Sequence, residues 1–136
     1  MDRAKYETEI CQRLEGADLI PFRPVSTHDW QPAVAKCHDN VDTWVRMNPN
    51  HRVVRGWVTN GNYIVFIGLT AHSIVRGPDG VMFDITPLYD ETGRGEVVRQ
   101  GMRFVEHLGS DEEFFAFEKE ERSILCPVAA DNALGL

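Results

Sequence analysis

No apolar run in the 136-residue chain approaches the length of a membrane span, so a transmembrane helix is not expected. Basic residues are scarce as well. Fourteen Lys and Arg against 21 Asp and Glu leave a net charge of −7, and without a basic surface general nucleic-acid binding is disfavoured. Cysteine is rarer still. Cys11, Cys37 and Cys126 are three residues at wide spacing with no C-x-x-C among them. An odd count so spread fits reduced thiols better than a disulfide framework. The opening MDRAKYETEICQRLEG is charged and helical in pattern rather than a signal peptide, so the expected location is cytoplasmic. There is no internal repeat and no linker-like stretch. The expectation is a single domain over residues 1–136, long enough to bury a core without staples.

Tyr6, Ile10 and Leu14 form a stripe on a helix over 3–15, and Gly16 is placed to stop it. Residues 17–25, with two prolines, read as an extended connector. Val34, Cys37, Val41, Trp44 and Val45 recur at three-to-four spacing and predict a second helix over 33–47, ended by Asn48-Pro49-Asn50. Pro32 suits a first helical turn, and a start near Lys36 is the alternative. The period then changes to two. Strands are expected at 53–59 and 63–69 around an Asn60-Gly61 turn, and at 71–76 and 81–85 around Pro78-Asp79-Gly80. Residues 90–96 read as a loop and 102–106 as a strand. Ser110 with Glu113 makes a capping box for a helix over 111–124 whose acidic run faces water. The tail from Pro127 is small and apolar. The order gives an α+β fold with an antiparallel sheet.

Two titratable residues sit in that sheet. X-Pro-Asp-Gly-X favours a three-residue loop with a glycine bulge, which would pair Gly77 with Val81. Ile74 would then face Asp84, and His72 would face Thr86. His72 and Asp84 become diagonal neighbours on one face, about 7–8 Å apart at the backbone and within side-chain reach. A carboxylate beside an imidazole fixes its tautomer and raises its proton affinity. That suits a general base whose other nitrogen faces a nucleophile. Cys37 is the candidate nucleophile, provided the helix begins close to it, because helix-terminal amides stabilise a thiolate.

The order of Cys37-His38-Asp39-Asn40, then Val54-Arg55-Gly56-Trp57, then Ala71-His72, then Phe83-Asp84-Ile85-Thr86-Pro87 resembles the transglutaminase-like and papain-like cysteine enzymes. Those carry a helix-borne Cys, a V-x-G-[YF] type strand, a strand His and an Asp or Asn on the next strand. The pattern also resembles small uncharacterised bacterial and phage proteins with C-H-x-N, V-x-G-W, H-x-V and D-x-T-P. The match covers residues 37–87. It departs where Ser73 and Ile74 replace the tryptophan that often follows the His, and where His38 replaces the usual aromatic after the Cys. The resemblance implies an antiparallel sheet packed by a central Cys-bearing helix. It also implies a Cys37-His72-Asp84 triad acting in amide hydrolysis, deamidation or transamidation. Gln31, six residues before Cys37, has the spacing of the papain-like oxyanion glutamine, and the Cys37 amide would be the second donor.

The expected substrate is a protein or peptide, with Trp30, Trp57 and Asn40 as candidate contacts beside the catalytic groups. Core packing is the competing reading for both tryptophans. No cofactor is expected. A zinc site from Cys37, His38, His72 and Asp84 is disfavoured, because adjacent helical residues point about 100° apart and cannot easily aim at one ion. The cluster of Arg46, His51, Arg52 and Arg55 could meet an acidic partner or be a solvated loop. The alternative to an enzyme is a non-catalytic binding or inhibitory module with the acidic face at 111–121 as its contact. Oligomeric state is left open.

Overall fold

A computed structural model describes residues 2–62, 65–88, 101–120 and 123–128. The described residues hold three helices and five strands: α1 (Arg3–Leu14), α2 (Cys37–Met47), β1 (Arg52–Asn62), β2 (Phe66–Arg76), β3 (Met82–Phe83), β4 (Phe104–Glu106), α3 (Asp111–Glu118) and β5 (Ile124–Pro127). The pairs β1–β4, β2–β3 and β2–β5 are antiparallel, and the sheet order is β3-β2-β1-β4, with β5 pairing β2. The α+β class read from the sequence is observed. The described residues gather in two compact units, one holding 1–18, 56–71 and 103 onward, the other 19–55 and 72–102.

In the first unit α1 presents Ile10 and Leu14 to a core of Trp57, Leu69, Val105, Phe114, Phe117 and Ile124. Asp2 caps α1 through the Lys5 amide, and Ser110 caps α3 through the Glu113 amide, as the capping box predicts. One polar chain threads this core. Trp57 Nε1–H donates to Tyr6 Oη at 2.7 Å, Tyr6 Oη lies 2.7 Å from His107 Nδ1, and His107 Nε2 lies 2.9 Å from the Ser110 carbonyl. Indole only donates and a carbonyl only accepts. The proton order is therefore fixed from one end to the other, with Tyr6 donating to Nδ1 and Nε2–H donating to Ser110.

In the second unit Val41, Val75, Phe83 and Ile85 form the core, and Val25, Trp30, Trp44, Val45 and Val53 pack against it. The apolar stripe of α2 supplies Val41, Trp44 and Val45. Helix α2 begins at Cys37 with Lys36 as its cap residue, so the start near Lys36 is the one adopted. Val34 lies outside the helix and is exposed.

Four expectations are corrected. Asn60-Gly61 is not a turn, since β1 continues through Asn62. Asn60 instead donates to Thr70 Oγ1 at 2.7 Å and Ser123 Oγ at 3.1 Å, so its side chain supports extended structure. The strands read as 63–69 and 71–76 are one strand, β2. The last helix ends at Glu118, and Ile124–Pro127 is β5, paired with β2 from Phe66↔Pro127 to Leu69↔Ile124. Finally, Cys11 and Cys126 form a disulfide with Cα atoms 5.2 Å apart, tying α1 to β5. The reduced-thiol reading fails for this pair, because 115 residues of separation hid their proximity. The loop expected at 90–96 lies outside the described residues.

Gly56 answers to packing. A Cβ there would sit 2.5 Å from Phe104 Cζ and closer still to the Val105 carbonyl oxygen. The carbonyl belongs to the β1–β4 ladder, where Gly56 faces Glu106, so it cannot swing aside. Gly56→Ala is expected to lower unfolding free energy by about 3 kcal/mol, the upper range for overpacking. Urea denaturation measures it, and a loss under about 1 kcal/mol would mean that β4 shifts without cost.

Candidate active site

The Pro78-Asp79-Gly80 turn sets the site. Gly77 and Val81 pair through a 2.9 Å backbone bond, Gly80 takes φ 85°, and the ladder runs Val75↔Phe83 and Arg76↔Met82. This is the register expected from the sequence, and extending it puts Ile74 opposite Asp84. His72 Nε2 lies 2.8 Å from Asp84 Oδ2, with the two side chains 13% and 10% exposed. Asp84 is held from three sides. Its Oδ1 accepts the Thr86 amide at 3.0 Å, its own amide donates to the Pro21 carbonyl, and its carbonyl accepts from the Arg23 amide, both at 2.9 Å. The connector at 17–25 thus has a task, which is to fix the carboxylate's backbone.

The Cys37 sulfur lies 3.7 Å from His38 Nδ1, and both His38 and His72 act on its ionisation. With Nε2 of His72 engaged by Asp84, Nδ1 is the nitrogen left for the sulfur. The first intrahelical bond of α2 runs from the Asn40 amide to the Lys36 carbonyl at 2.8 Å. The Cys37 amide is therefore one of the helix-start donors that the helix itself does not use. Burial pushes the Cys37 thiol up. Hydrogen bonds from His38 and then His72, with the charge of both rings, outweigh burial and bring it from 9.0 to about 6. Burial alone would push His72 down. Its hydrogen bonds to Asp84 and Cys37, with the charges of those partners, carry it from 6.5 to about 10. At neutral pH the pair is a thiolate beside an imidazolium.

The stability linked to this pair has opposed limbs. The raised His72 contributes fully below its ordinary 6.5 and loses that contribution as pH climbs through about 10. The depressed Cys37 contributes fully above its ordinary 9.0 and loses it as pH falls through about 6. Between 6.5 and 9.0 the two slopes cancel, because folding only moves a proton from sulfur to ring.

Asn40 is buried, 4% exposed, and its side chain is engaged inside the protein. Its Oδ1 accepts the Ala33 amide at 2.9 Å, and its Nδ2 donates to the Ala33 carbonyl at 2.8 Å and to Thr86 Oγ1 at 3.0 Å. It thereby clamps the turn that feeds the helix, where Ala35 is held at φ 62°, a left-handed conformation costly for a residue with a Cβ. Trp57 is 1% exposed in the first unit's core, which removes it from the candidate substrate contacts. Trp30 is partly buried against the second unit's core. Gln31 is exposed on the wall of a cleft of about 290 Å³, lined also by Phe22, Pro24, Val25, Pro32, Ile85 and Pro87. Its oxyanion role rests on spacing.

Sequence reasoning missed a second set of partners. His38 Nδ1 lies 2.6 Å from Ser73 Oγ. Arg55 Nη1 donates to the same oxygen at 2.8 Å, and Arg55 Nη2 donates to Asp42 Oδ1 at 2.8 Å. Arg55 is 7% exposed and Ser73 is fully buried. So Arg55 does not belong to a solvated basic cluster. Its place in the V-x-G-W strand, where alternate residues face one side, was the available signal. Among the described residues no group of three His, Cys, Asp or Glu is arranged to hold a metal ion, and no helix is long and apolar enough to cross a membrane. A cavity of about 730 Å³ in the first unit, bordered by Cys11, Ile67, Arg103 and Cys126, holds none of the Cys37, His72 or Asp84 side chains. No family model, curated protein or solved structure matches the chain.

Proposed function

We propose that the chain is a small cysteine-dependent acyl-transfer enzyme with a transglutaminase-like core, acting on an amide or thioester carbonyl of a protein or peptide. The observation that carries this reading is the 2.8 Å bond from His72 Nε2 to Asp84 Oδ2, in a ring that also acts on the ionisation of Cys37. The thiolate attacks the carbonyl carbon, forming a C–S bond while the π electrons move to oxygen. The oxyanion takes the Cys37 amide and the Gln31 carboxamide as donors. Collapse breaks the bond to the leaving nitrogen or sulfur, which leaves with the proton held by His72. The now neutral ring takes a proton from water or an amine as it attacks the thioester. Expulsion of the thiolate completes hydrolysis, deamidation or transfer. Asp84 keeps the ring oriented throughout and favours its charged form at rest.

Acyl capture tests this directly. The only other cysteines are joined to each other, so Cys37 is the one thiol available to react. Incubation with 4-nitrophenyl acetate is expected to release one equivalent of nitrophenolate in a burst, with an acetyl mass on the Cys37 peptide. Cys37→Ala should show neither. Acetylation spread over lysines, with no burst, would remove the acyl-enzyme.

A further inference from the structure

His38 occupies the place where the resembled enzymes carry an aromatic residue, yet here its ring touches the reactive sulfur. Resting on the acyl-transfer reading, we infer that the thiolate is held by two imidazoles, and that Ser73 and Arg55 are the positioning residues that set the second one. The logic is one of donors and acceptors. A guanidinium only donates, so Arg55 Nη1 takes one lone pair of Ser73 Oγ at 2.8 Å. Asp42 accepts from the other arm of Arg55 at 2.8 Å, which fixes the plane of the fork. Ser73 Oγ also lies 2.6 Å from His38 Nδ1; a hydroxyl both donates and accepts, and here Nδ1–H is taken as the donor. The same N–H also reaches the Cys37 sulfur at 3.7 Å, a three-centre bond between a hydroxyl and a thiolate.

Ser73 is fully buried on β2 and Arg55 is 7% exposed on β1, so neither side chain has room to turn away. His38 is thereby prevented from swinging to water, which an unbacked ring at a helix start would do. The groups facing the sulfur are His38 of α2 and His72 of β2. Asp84 stands behind His72, and Arg55 with Asp42 stands behind Ser73. One ring is backed by an anion and serves as the proton carrier. The other is backed by a neutral hydroxyl tied to a cation and serves as a fixed donor.

The experiment is the pH profile of Cys37 alkylation by iodoacetamide in the wild-type chain and in Ser73→Ala, Arg55→Met, His38→Phe and His72→Ala, with Ser73→Thr as the conservative rescue. Ser73→Ala, Arg55→Met and His38→Phe are each expected to raise the midpoint by about half to one pH unit, and Ser73→Thr to restore it. Thermal unfolding is read alongside, because a merely structural role would lower the melting temperature without moving the midpoint. An unmoved midpoint in all three, with His72→Ala still shifting it, would overturn the second imidazole and leave the enzyme reading intact. A wild-type midpoint near the ordinary thiol value would instead remove the enzyme reading itself. If Arg55→Met fails to fold, Ser73→Ala and His38→Phe carry the comparison.

Discussion

Iodoacetamide is expected to alkylate Cys37 at a rate that climbs around pH 6, reaches its plateau near neutrality, and in His72→Ala climbs instead toward pH 9.0. The shape of this profile decides more than its height. At pH 7 a thiol of pKa near 6 is about 90% ionised and one near 9 about 1%, a ratio of roughly 90. The low-pKa thiolate is the weaker nucleophile, however, and a Brønsted slope of about 0.45 over three units costs about 20-fold. The net advantage at pH 7 is therefore only about fourfold. At pH 5.5 the ionised fractions differ by roughly 750-fold, which leaves about 30-fold in favour of the wild-type chain. Above pH 9 both thiols are largely ionised and the variant overtakes, by about tenfold or more.

Crossing curves are thus the signature of a sulfur–imidazole ion pair. A sulfur that is only exposed gives parallel curves, because His72→Ala would leave its ionisation alone. Alkylation that rises near pH 9 in both proteins would end the reading. The residual contact from His38 keeps the variant's midpoint somewhat below the free-thiol value, so a variant rising near pH 8 still fits.

How much of this was legible before any coordinates depends on the range over which each signal acts. The Pro78-Asp79-Gly80 turn is local, and its chemistry fixed the register that joins His72 to Asp84. The stripe on α2 is local too, although the periodicity ran four residues past the true start. What ended the helix at Cys37 was the Asn40 clamp on Ala33, a bond visible only once the chain has folded back. Long-range partners left no such marks. The Cys11–Cys126 disulfide and the β5–β2 ladder join the chain's beginning and middle to its end, and nothing near either partner announces them. Arg55 and Ser73 were hidden for a different reason. An arginine in a strand usually reads as surface, and its burial becomes tolerable only when Asp42 and Ser73 both receive it.

The choice of Asp at position 84 has a reason in the bonds around it, and Asp84→Asn is expected to expose that reason. Oδ1 accepts the Thr86 amide at 3.0 Å and Oδ2 accepts from His72 at 2.8 Å. Both positions need an acceptor, and an amide side chain has only one. If its oxygen stays on Thr86, its NH2 meets Nε2, which must then give up its proton, and the ring can no longer remain an imidazolium. If the amide turns over, the NH2 opposes the Thr86 N–H, and a buried donor is left unpaired at a cost of about 1–3 kcal/mol. In either state His72 also loses the carboxylate that holds its proton, so its value falls from about 10 and the Cys37 value rises from about 6. Acyl transfer by Asp84→Asn should drop by about 10²-fold or more at neutral pH, in the range of a lost general acid. The alkylation midpoint should rise with it, while the fold survives as judged by circular dichroism. An Asp84→Asn protein with the parental profile would mean that the ring takes its orientation from elsewhere, and the carboxylate would then be a strand-end residue bonding Thr86 and nothing more.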